Sequence, residues 1–301
     1  MPIMNLAADF DLSVDPDHAT MLEEVSRFSE SELESLREDD GIAERTAEGR
    51  LEELGLESLE DQPPLLDALV AEELARGDLR IATNHVRRLY ASRCLSLAPP
   101  SIAARLALAL SDPAARLACV QTTGGRNRHQ ELQAEVTLSV PAGRSDEWCL
   151  RFAHAQADVD LVALEAQEEL VWAAKAHQMH VSLWTSLIVG GMRRGLDASL
   201  DYARTRRSFG RPIVQHQAVA IRLADMSLAL DGCKLLSWQF SREADGDWSL
   251  SPGDAAAGVS EAAARFASDL VQIHGAHGYV AGGVANRIFR ELHVAARRLN
   301  A

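Results

Sequence analysis

Cysteine is scarce and dispersed in this sequence of 301 residues. The four cysteines, Cys94, Cys119, Cys149 and Cys233, form no CxxC pair. Closely paired cysteines are the usual signature of structural zinc sites and of disulfide frameworks. Neither kind of stabilisation is therefore expected, and the thiols are predicted to be reduced, as thiols are in the cytoplasm.

Several motifs that identify enzymes or cofactor sites are also missing. The sequence has no GxSxG for a serine nucleophile, no HExxH for zinc and no GxGxxG for a dinucleotide. Two histidine pairs, His177 with His180 and His274 with His277, have the spacing that places both rings on one helix face. No third ligand stands beside either pair at the spacing of a metal site, so no metal site is predicted.

Positive charge is in deficit. Lysine and arginine number 30 against 44 acidic residues, and the formal net charge is -14. A nucleic-acid partner is not expected, because a basic surface is needed to neutralise phosphates. No apolar run is long enough to span a membrane, and the first residues lack the basic and apolar regions of a signal peptide. We therefore expect a cytoplasmic protein with no membrane partner.

What the sequence does contain is mainly helical pattern, interrupted by one short β-rich region. Residues 1–116 are predicted to form an N-terminal helical domain, whose first helix is capped by Asp17 and ends near Arg37. Residues 117–170 alternate apolar and polar side chains in several short segments, which predicts a reduced β-domain of three or four strands.

Residues 171–301 return to helical periodicity. Four long helices are predicted near residues 168–207, 214–243, 252–273 and 284–298, joined by short connections. Long helices with short connections are typical of an up-down four-helix bundle. The predicted fold is thus mainly α, with a C-terminal four-helix bundle after the small β-region.

The densest signal is a basic turn between the first two long helices. The turn is centred on Phe209-Gly210 and Pro212, and its cations are Arg204, Arg206, Arg207 and Arg211. Glycine permits positive φ and proline fixes φ, so the chain is expected to reverse direction here. Guanidinium groups beside a helix start can bind phosphate. The alternative is a solvated helix end whose cations interact favourably with the helix dipole.

A second distinctive segment ends the third long helix. Residues 272–279 read QIHGAHGY, and their glycines are typical of a helix C-cap. The segment is either a cap alone or a place where the backbone approaches a ligand closely, since glycine has no side chain to block the approach.

Together the two segments resemble the acyl-CoA dehydrogenase family. The resemblance rests on Tyr202, Arg206, Phe209-Gly210, Gln217, residues 223–226 (LADM), residues 272–275 (QIHG), Gly278-Tyr279 and Arg290. It implies N-terminal helices, a β-domain and a C-terminal bundle. It also implies FAD as cofactor and α,β-dehydrogenation of an acyl-CoA thioester.

The resemblance further implies roles for individual residues. Arg206 would meet the FAD pyrophosphate, with Ser208 and Phe209 beside it. Gln217 would line the same cofactor. Gln272 and Gly275 would approach its ADP half. In such proteins this turn contacts FAD that is bound largely by a neighbouring subunit.

The sequence also departs from the family pattern. Relatives carry a catalytic glutamate after the last bundle helix or on the first one, and those two positions fall near Leu299 and His180 here. No catalytic residue is therefore assigned. The resemblance then implies a non-catalytic subunit that shares FAD with a full-length acyl-CoA dehydrogenase subunit in an α2β2 heterotetramer. The partner would hold most of the acyl-CoA, and the analogy extends to CoA thioesters of steroid side chains.

Two alternatives stay open on the sequence alone. The chain could be a degenerate homo-oligomer that binds no flavin and has a structural or binding role. It could also be an enzyme in which His180 acts as the base, because an imidazole can abstract an acidic proton.

Overall fold

The computed structural model describes residues 15–31, 33, 42–56, 62–110, 116–122, 134–141, 149–154, 157–164, 166–242 and 250–300. Five helices precede the strands within these ranges: α1 (Pro16–Ser31), α2 (Ile42–Glu53), α3 (Pro64–Gly77), α4 (Leu79–Ser96) and α5 (Pro100–Leu110). Four helices of 16 to 39 residues follow the strands: α6 (Gln167–Thr205), α7 (Gln217–Ser241), α8 (Pro252–His274) and α9 (Val284–Leu299). The prediction of a mainly helical fold is confirmed.

The first helix differs from its prediction at both ends. Helix α1 begins at Pro16, and the Asp15 carboxylate accepts a hydrogen bond of 2.9 Å from the backbone N–H of Asp17. Asp15 is thus the capping residue and Asp17 is already helical, because proline is favoured at the first helical position. The helix ends at Ser31 rather than near Arg37, and Arg37 lies outside the described residues.

The β-rich region contains four described strands in one sheet. They are β1 (Arg116–Thr122), β2 (Ala134–Pro141), β3 (Cys149–His154) and β4 (Ala157–Ala163), in the order β1-β2-β3-β4. β1 runs parallel to β2, with Leu117 opposite Val136, while the other two pairs are antiparallel. The alternating pattern had predicted this small sheet.

The four long helices form the predicted up-down bundle. Helix α7 runs antiparallel to α6, since the Gln178 side chain near the start of α6 donates to the carbonyl of Phe240 near the end of α7 at 3.1 Å. The Ser260 hydroxyl of α8 donates to the carbonyl of Ala296 of α9 at 2.9 Å. Helix α6 packs against all three other bundle helices, so the position of the basic turn that follows its C-terminal end is fixed by the bundle.

Helix α3 of the N-terminal region packs closely on α6. A Cβ added at Gly190 would lie 2.3 Å from the carbonyl oxygen of Glu72, so glycine is what lets the two backbones approach. Arg193, one turn further on, forms a salt bridge of 2.7 Å with Glu72 and a second with Glu73. One cluster of buried apolar side chains includes both regions. The domain boundaries near residues 116 and 170 stay predictions.

Candidate functional site

The basic turn is a tight hairpin between α6 and α7. Strand β5 (Arg207–Ser208) pairs antiparallel with β6 (Arg211–Pro212), and a 3-10 helix (Ile213–Gln215) leads into α7. The backbone of Arg206 closes the hairpin. Its N–H bonds the carbonyl of Tyr202, and its carbonyl accepts from Ile213, both at 2.8 Å. The predicted chain reversal at this turn is therefore present.

Phe209 occupies an unusual position at the tip of this hairpin. Its φ is 50° and that of Gly210 is 78°, which is the left-handed pair that a two-residue hairpin turn needs. In the part of the chain that the structure describes, Phe209 is the one non-glycine residue with positive φ. The left-handed conformation costs an L-residue about 1–2 kcal/mol. Phe209 is nevertheless 95% exposed, so this conformation places almost none of its side chain in the core of the described chain.

His216 holds the hairpin in shape. Its Nε2 lies 3.2 Å from the carbonyl oxygen of Ser208, and its Nδ1 lies 3.3 Å from a guanidinium nitrogen of Arg211. Both bonds are satisfied when Nε2 carries the proton and Nδ1 accepts from the arginine. The imidazole edge also contacts the ring of Phe209, with 6.2 Å between ring centroids. The hairpin tip is thus fixed before anything binds to it.

Arg206 presents its side chain to solvent. The residue is exposed, and within the described ranges its guanidinium forms neither a hydrogen bond nor an ion pair. Arg207, by contrast, donates to the carbonyl of Gly210 at 3.2 Å, and Arg204 lies 3.6 Å from the Asp201 carboxylate. An exposed guanidinium fork and an exposed apolar ring three residues further along the same turn are suitable for a phosphate group attached to an aromatic ligand.

The start of α7 adds backbone donors to the same turn. No side chain caps this helix, and its first residue, Gln217, is exposed. The first N–H groups of a helix have no partner within the helix and favour anions. Ser208, half-buried in β5, lies between Arg206 and Phe209 in the chain. The residues predicted for one half of the site therefore share one rigid turn.

The second predicted segment ends α8 as expected. Gly275 is the C-cap residue with φ 56°, and its N–H bonds the carbonyl of Gln272. A 3-10 helix (Gly275–Tyr279) follows. Gln272 and Gly275 are both exposed, whereas Gly278 is buried with space for no side chain, since a Cβ there would lie 2.6 Å from the Val271 carbonyl oxygen. The cap role is confirmed. The backbone at Gly275 is also accessible to a ligand, because the residue is exposed.

Tyr202 joins the two segments. It lies one helical turn before Arg206 on α6, and its ring stacks on His274 with 4.6 Å between centroids. The phenol oxygen lies 3.2 Å from Nδ1 of His277. The structure therefore brings the end of α6 and the end of α8 together, so that the two sequence motifs belong to one surface.

The positions that would carry a catalytic carboxylate are apolar in character. Leu299 is buried at the end of α9. His180 is 3% exposed, and the rings of Tyr90 and Trp184 flank it at 5.6 and 5.7 Å between centroids. Neither imidazole nitrogen has a hydrogen bond of normal geometry, although the Arg298 backbone lies nearby. Burial lowers the pKa of His180 to about 3, and so weak a base is poorly suited to proton abstraction.

Other kinds of site find no support in the described residues. They contain no group of three or more histidine, cysteine, aspartate or glutamate side chains arranged for a metal ion. Nor does any helix among them combine the length and apolarity that crossing a membrane requires. Cys94 and Cys233 are buried free thiols, and burial raises the pKa of the Cys94 thiol to about 12.

Sequence comparisons place the bundle among known proteins. Residues 172–296 match the family model described as acyl-CoA dehydrogenase, C-terminal domain. Mitochondrial short-chain specific acyl-CoA dehydrogenase of Sus scrofa is 34% identical over 112 residues, which are 36% of this chain and 27% of that protein. 3-Sulfinopropanoyl-CoA desulfinase of Paraburkholderia xenovorans (strain LB400) is 36% identical over 95 residues, which are 31% of this chain and 24% of that protein. The chain thus matches about a quarter of the length of these curated relatives.

Solved structures share the fold of the whole chain. The glutaryl-coenzyme A dehydrogenase glutaryl-CoA complex has a TM-score of 0.68 at 16% identity and covers 96% of this chain and 94% of its own. One chain of the ChsE4-ChsE5 complex of Mycobacterium tuberculosis has a TM-score of 0.67 at 17% identity, with coverages of 97% and 95%. PigA with FAD and proline has a TM-score of 0.63 at 15% identity, with coverages of 95% and 94%.

These likenesses, at 15–17% identity, show that the chain has the fold of these structures. Residues 172–296 are matched by the family model of the acyl-CoA dehydrogenase C-terminal domain, so the C-terminal bundle of this chain is similar to that domain. The family resemblance found in the sequence is confirmed.

Sequence reasoning did not single out every residue that shapes this surface. His216 was missed as the residue that fastens the hairpin, and its position directly before α7 is the one signal that the sequence offered. The contact between Tyr202 and His277 was also missed, because it joins residues that are distant in the chain.

Proposed function

We propose that this chain is a non-catalytic subunit of an FAD-dependent acyl-CoA dehydrogenase and that it completes the FAD site of a full-length partner subunit. Bound FAD would accept the hydride from the acyl-CoA. This chain would hold the cofactor through the turn at residues 206–217 and through Gln272 and Gly275. The match of residues 172–296 to the acyl-CoA dehydrogenase C-terminal domain supports both the cofactor and the reaction class.

One observation carries the proposal: the binding groups of the turn face away from their own chain. Phe209 is 95% exposed in a left-handed conformation, and the guanidinium of Arg206, three residues earlier in the same turn, is exposed and has no partner in the described ranges. Residues held in sparsely populated backbone conformations cluster at binding and active sites, and within its own chain the Phe209 ring contacts only the edge of His216 among the described aromatic residues. An apolar ring and a cation would find complementary partners in a flavin and its pyrophosphate.

The assignment as a non-catalytic subunit is supported by the residues at the two base positions. Leu299 has no titratable group, and the buried, weakly basic His180 is screened by Tyr90 and Trp184. Because α-proton abstraction needs a base of suitable pKa within reach of the substrate, the base would come from the partner. His180 is therefore not proposed as a catalytic residue.

The partner would be a full-length acyl-CoA dehydrogenase subunit in an α2β2 heterotetramer that holds most of the acyl-CoA. The similarity to a chain of the ChsE4-ChsE5 complex shows that this fold occurs in complexes of two different chains. We propose bulky CoA thioesters, such as those of steroid side chains, as substrates, and the cytoplasm as the location. Free thiols at Cys94 and Cys233 are compatible with a reducing compartment.

The role of Arg206 is tested by its replacement. Arg206→Ala removes a charge-assisted contact to phosphate and should weaken FAD retention by the complex by about 1.5–3 kcal/mol. The fold should be unaffected, because the hydrogen bonds of Arg206 use only its backbone. Flavin content after gel filtration measures the effect.

Arg265→Ala is the matched control, since Arg265 is an exposed arginine of α8 paired with Glu261. It should retain flavin like the unmodified complex. Equal FAD content in the Arg206→Ala complex would refute the role given to Arg206.

A homo-oligomer without flavin is the competing function. The exposed apolar residues Ile221, Leu228 and Leu235 repeat at seven-residue spacing along α7, and such a stripe can pack against another helix. That model predicts a stable self-complex that remains colourless when FAD is supplied. Light scattering and the flavin absorbance of the purified chain distinguish the two functions.

A further inference from the structure

A second site lies about 30 Å along α6 from the turn, by the rise of the helix between Thr205 and Trp184. It is a cavity of about 670 Å³ between α4 and α9. Both helices pack on α6, whose Trp184 contributes to the wall. This volume is in the range of pockets that take small organic molecules.

The cavity wall concentrates positive charge in an acidic chain. Five arginines contribute to it: Arg80, Arg87, Arg287, Arg290 and Arg298. The acidic residues of the wall are Asp78 and Glu291. The Asp78 carboxylate is already engaged as the N-cap of α4, where it accepts from the N–H groups of Arg80 and Ile81 at 3.0 and 3.1 Å. The formal excess of cations contrasts with the chain's net charge of -14.

One of these arginines has a buried donor without a partner among the described residues, and a second lies over an aromatic ring. Nε of Arg287 is buried, and it donates to no acceptor in the described part of the chain. A buried donor without an acceptor costs free energy, so a ligand that accepts this bond would be stabilised. Arg298 stands over the ring of Trp184 at 5.8 Å from the centroid, and burial lowers its pKa. Arg298 is nevertheless exposed, and an anion in the cavity would stabilise its charged form.

The remaining wall is apolar. Leu79, Val294 and Ala295 line the cavity together with Trp184. The wall thus combines arginine forks, which bind carboxylate and phosphate oxygens in pairs, with surface for a hydrocarbon body. A purely inorganic anion would leave that apolar surface uncovered.

We propose that this cavity binds a small organic anion, whose carboxylate or phosphate oxygens are held by Arg287, Arg290 and Arg298 and whose apolar part contacts Leu79, Val294 and Trp184. The site is separate from the flavin turn and does not depend on the function proposed above. Loss of one site should therefore leave the other intact.

The test is calorimetric titration of the purified full chain at low ionic strength, with benzoate as the carboxylate probe and phenyl phosphate as the phosphate probe. Saturable binding of either probe at one site per chain is expected, and the stronger probe identifies the oxyanion. Arg290→Gln and Arg298→Gln should each weaken binding by about tenfold or more, which corresponds to one charge-assisted bond.

The controls separate this site from general attraction of anions. Arg265→Gln removes an exposed arginine of α8 that is remote from the cavity wall, and it should bind the probe unchanged. Arg290 is exposed, so its replacement should not prevent folding, and circular dichroism checks this. The proposal is overturned if neither probe binds at millimolar concentration, or if the Arg290→Gln and Arg298→Gln variants bind as tightly as the unmodified chain.

Discussion

Replacement of Phe209 by asparagine separates two properties of this residue: the strain of its left-handed conformation and the contribution of its ring to flavin binding. Asparagine enters the left-handed region more readily than phenylalanine does, so Phe209→Asn keeps the turn and removes the ring. The ring is 95% exposed, so its loss removes almost no packing from the isolated chain. The free energy of unfolding of the chain alone should stay unchanged or rise by about 0.5–1 kcal/mol, as part of the left-handed strain is relieved.

The complex should respond in the opposite direction. Burial of a phenylalanine side chain against a ligand or partner contributes about 1.5–3 kcal/mol. Flavin retention by the complex should therefore fall about 10–100-fold in Phe209→Asn. A residue that serves binding should show this combination: an unchanged free energy of unfolding of the isolated chain and a lower flavin affinity of the complex.

Two assays measure these effects: urea unfolding of the isolated chain, and titration of FAD into the complex with flavin fluorescence as the readout. Leu97→Asn is the control, since Leu97 is also an exposed apolar residue, 55% accessible, at the end of α4. It should leave flavin binding unchanged. The reasoning is refuted if Phe209→Asn destabilises the isolated chain by about 2 kcal/mol or more, or if flavin binds to the mutant complex as before.

Two further predictions concern the scaffold. Gly190→Ala should destabilise the chain by about 1–3 kcal/mol in urea unfolding, because the new methyl group would overlap the Glu72 carbonyl. Gly258→Ala, which meets no atom within 4 Å on α8, should instead stabilise it by about 0.5–1 kcal/mol, and equal effects would contradict the packing. Burial lowers the pKa of His180 to about 3, so the unfolded chain binds more protons below about pH 6.5. The free energy of unfolding should therefore decrease as the pH is lowered, by about 2 kcal/mol at pH 5 from this histidine. His180→Phe should make this decrease smaller. A pH profile that is the same in the variant would show that His180 is not buried as a neutral ring.

Elements with strong local signals could be predicted from the sequence. Pro252 after Ser251 defined the start of α8, and the Ser251 hydroxyl does accept from the N–H of Asp254. Gly275 defined its end, with φ 56°. The first helix was predicted less well, because Asp17 and Asp15 are both good caps and only the position of Pro16 distinguishes them.

Contacts between distant residues could not be predicted in the same way. Tyr202 and His277 both lay in segments identified from the sequence, yet their contact depends on how α6 and α8 pack. The arginines at the cavity between α4 and α9 were not noticed as a group, because Arg80 and Arg298 are brought together only by the fold. The periodicity of the sequence predicts which face of a helix is apolar. It does not predict which other helix packs against that face, because tertiary packing decides this.

The most direct test of the proposed function compares this chain purified alone with the chain co-expressed with a full-length acyl-CoA dehydrogenase subunit. Flavin absorbance gives the FAD content of each preparation, and reduction of an electron-accepting dye gives acyl-CoA oxidation. We predict a colourless, inactive chain alone and a yellow, active complex that contains both subunits. Stoichiometric FAD and acyl-CoA oxidation by the chain alone would contradict the proposal.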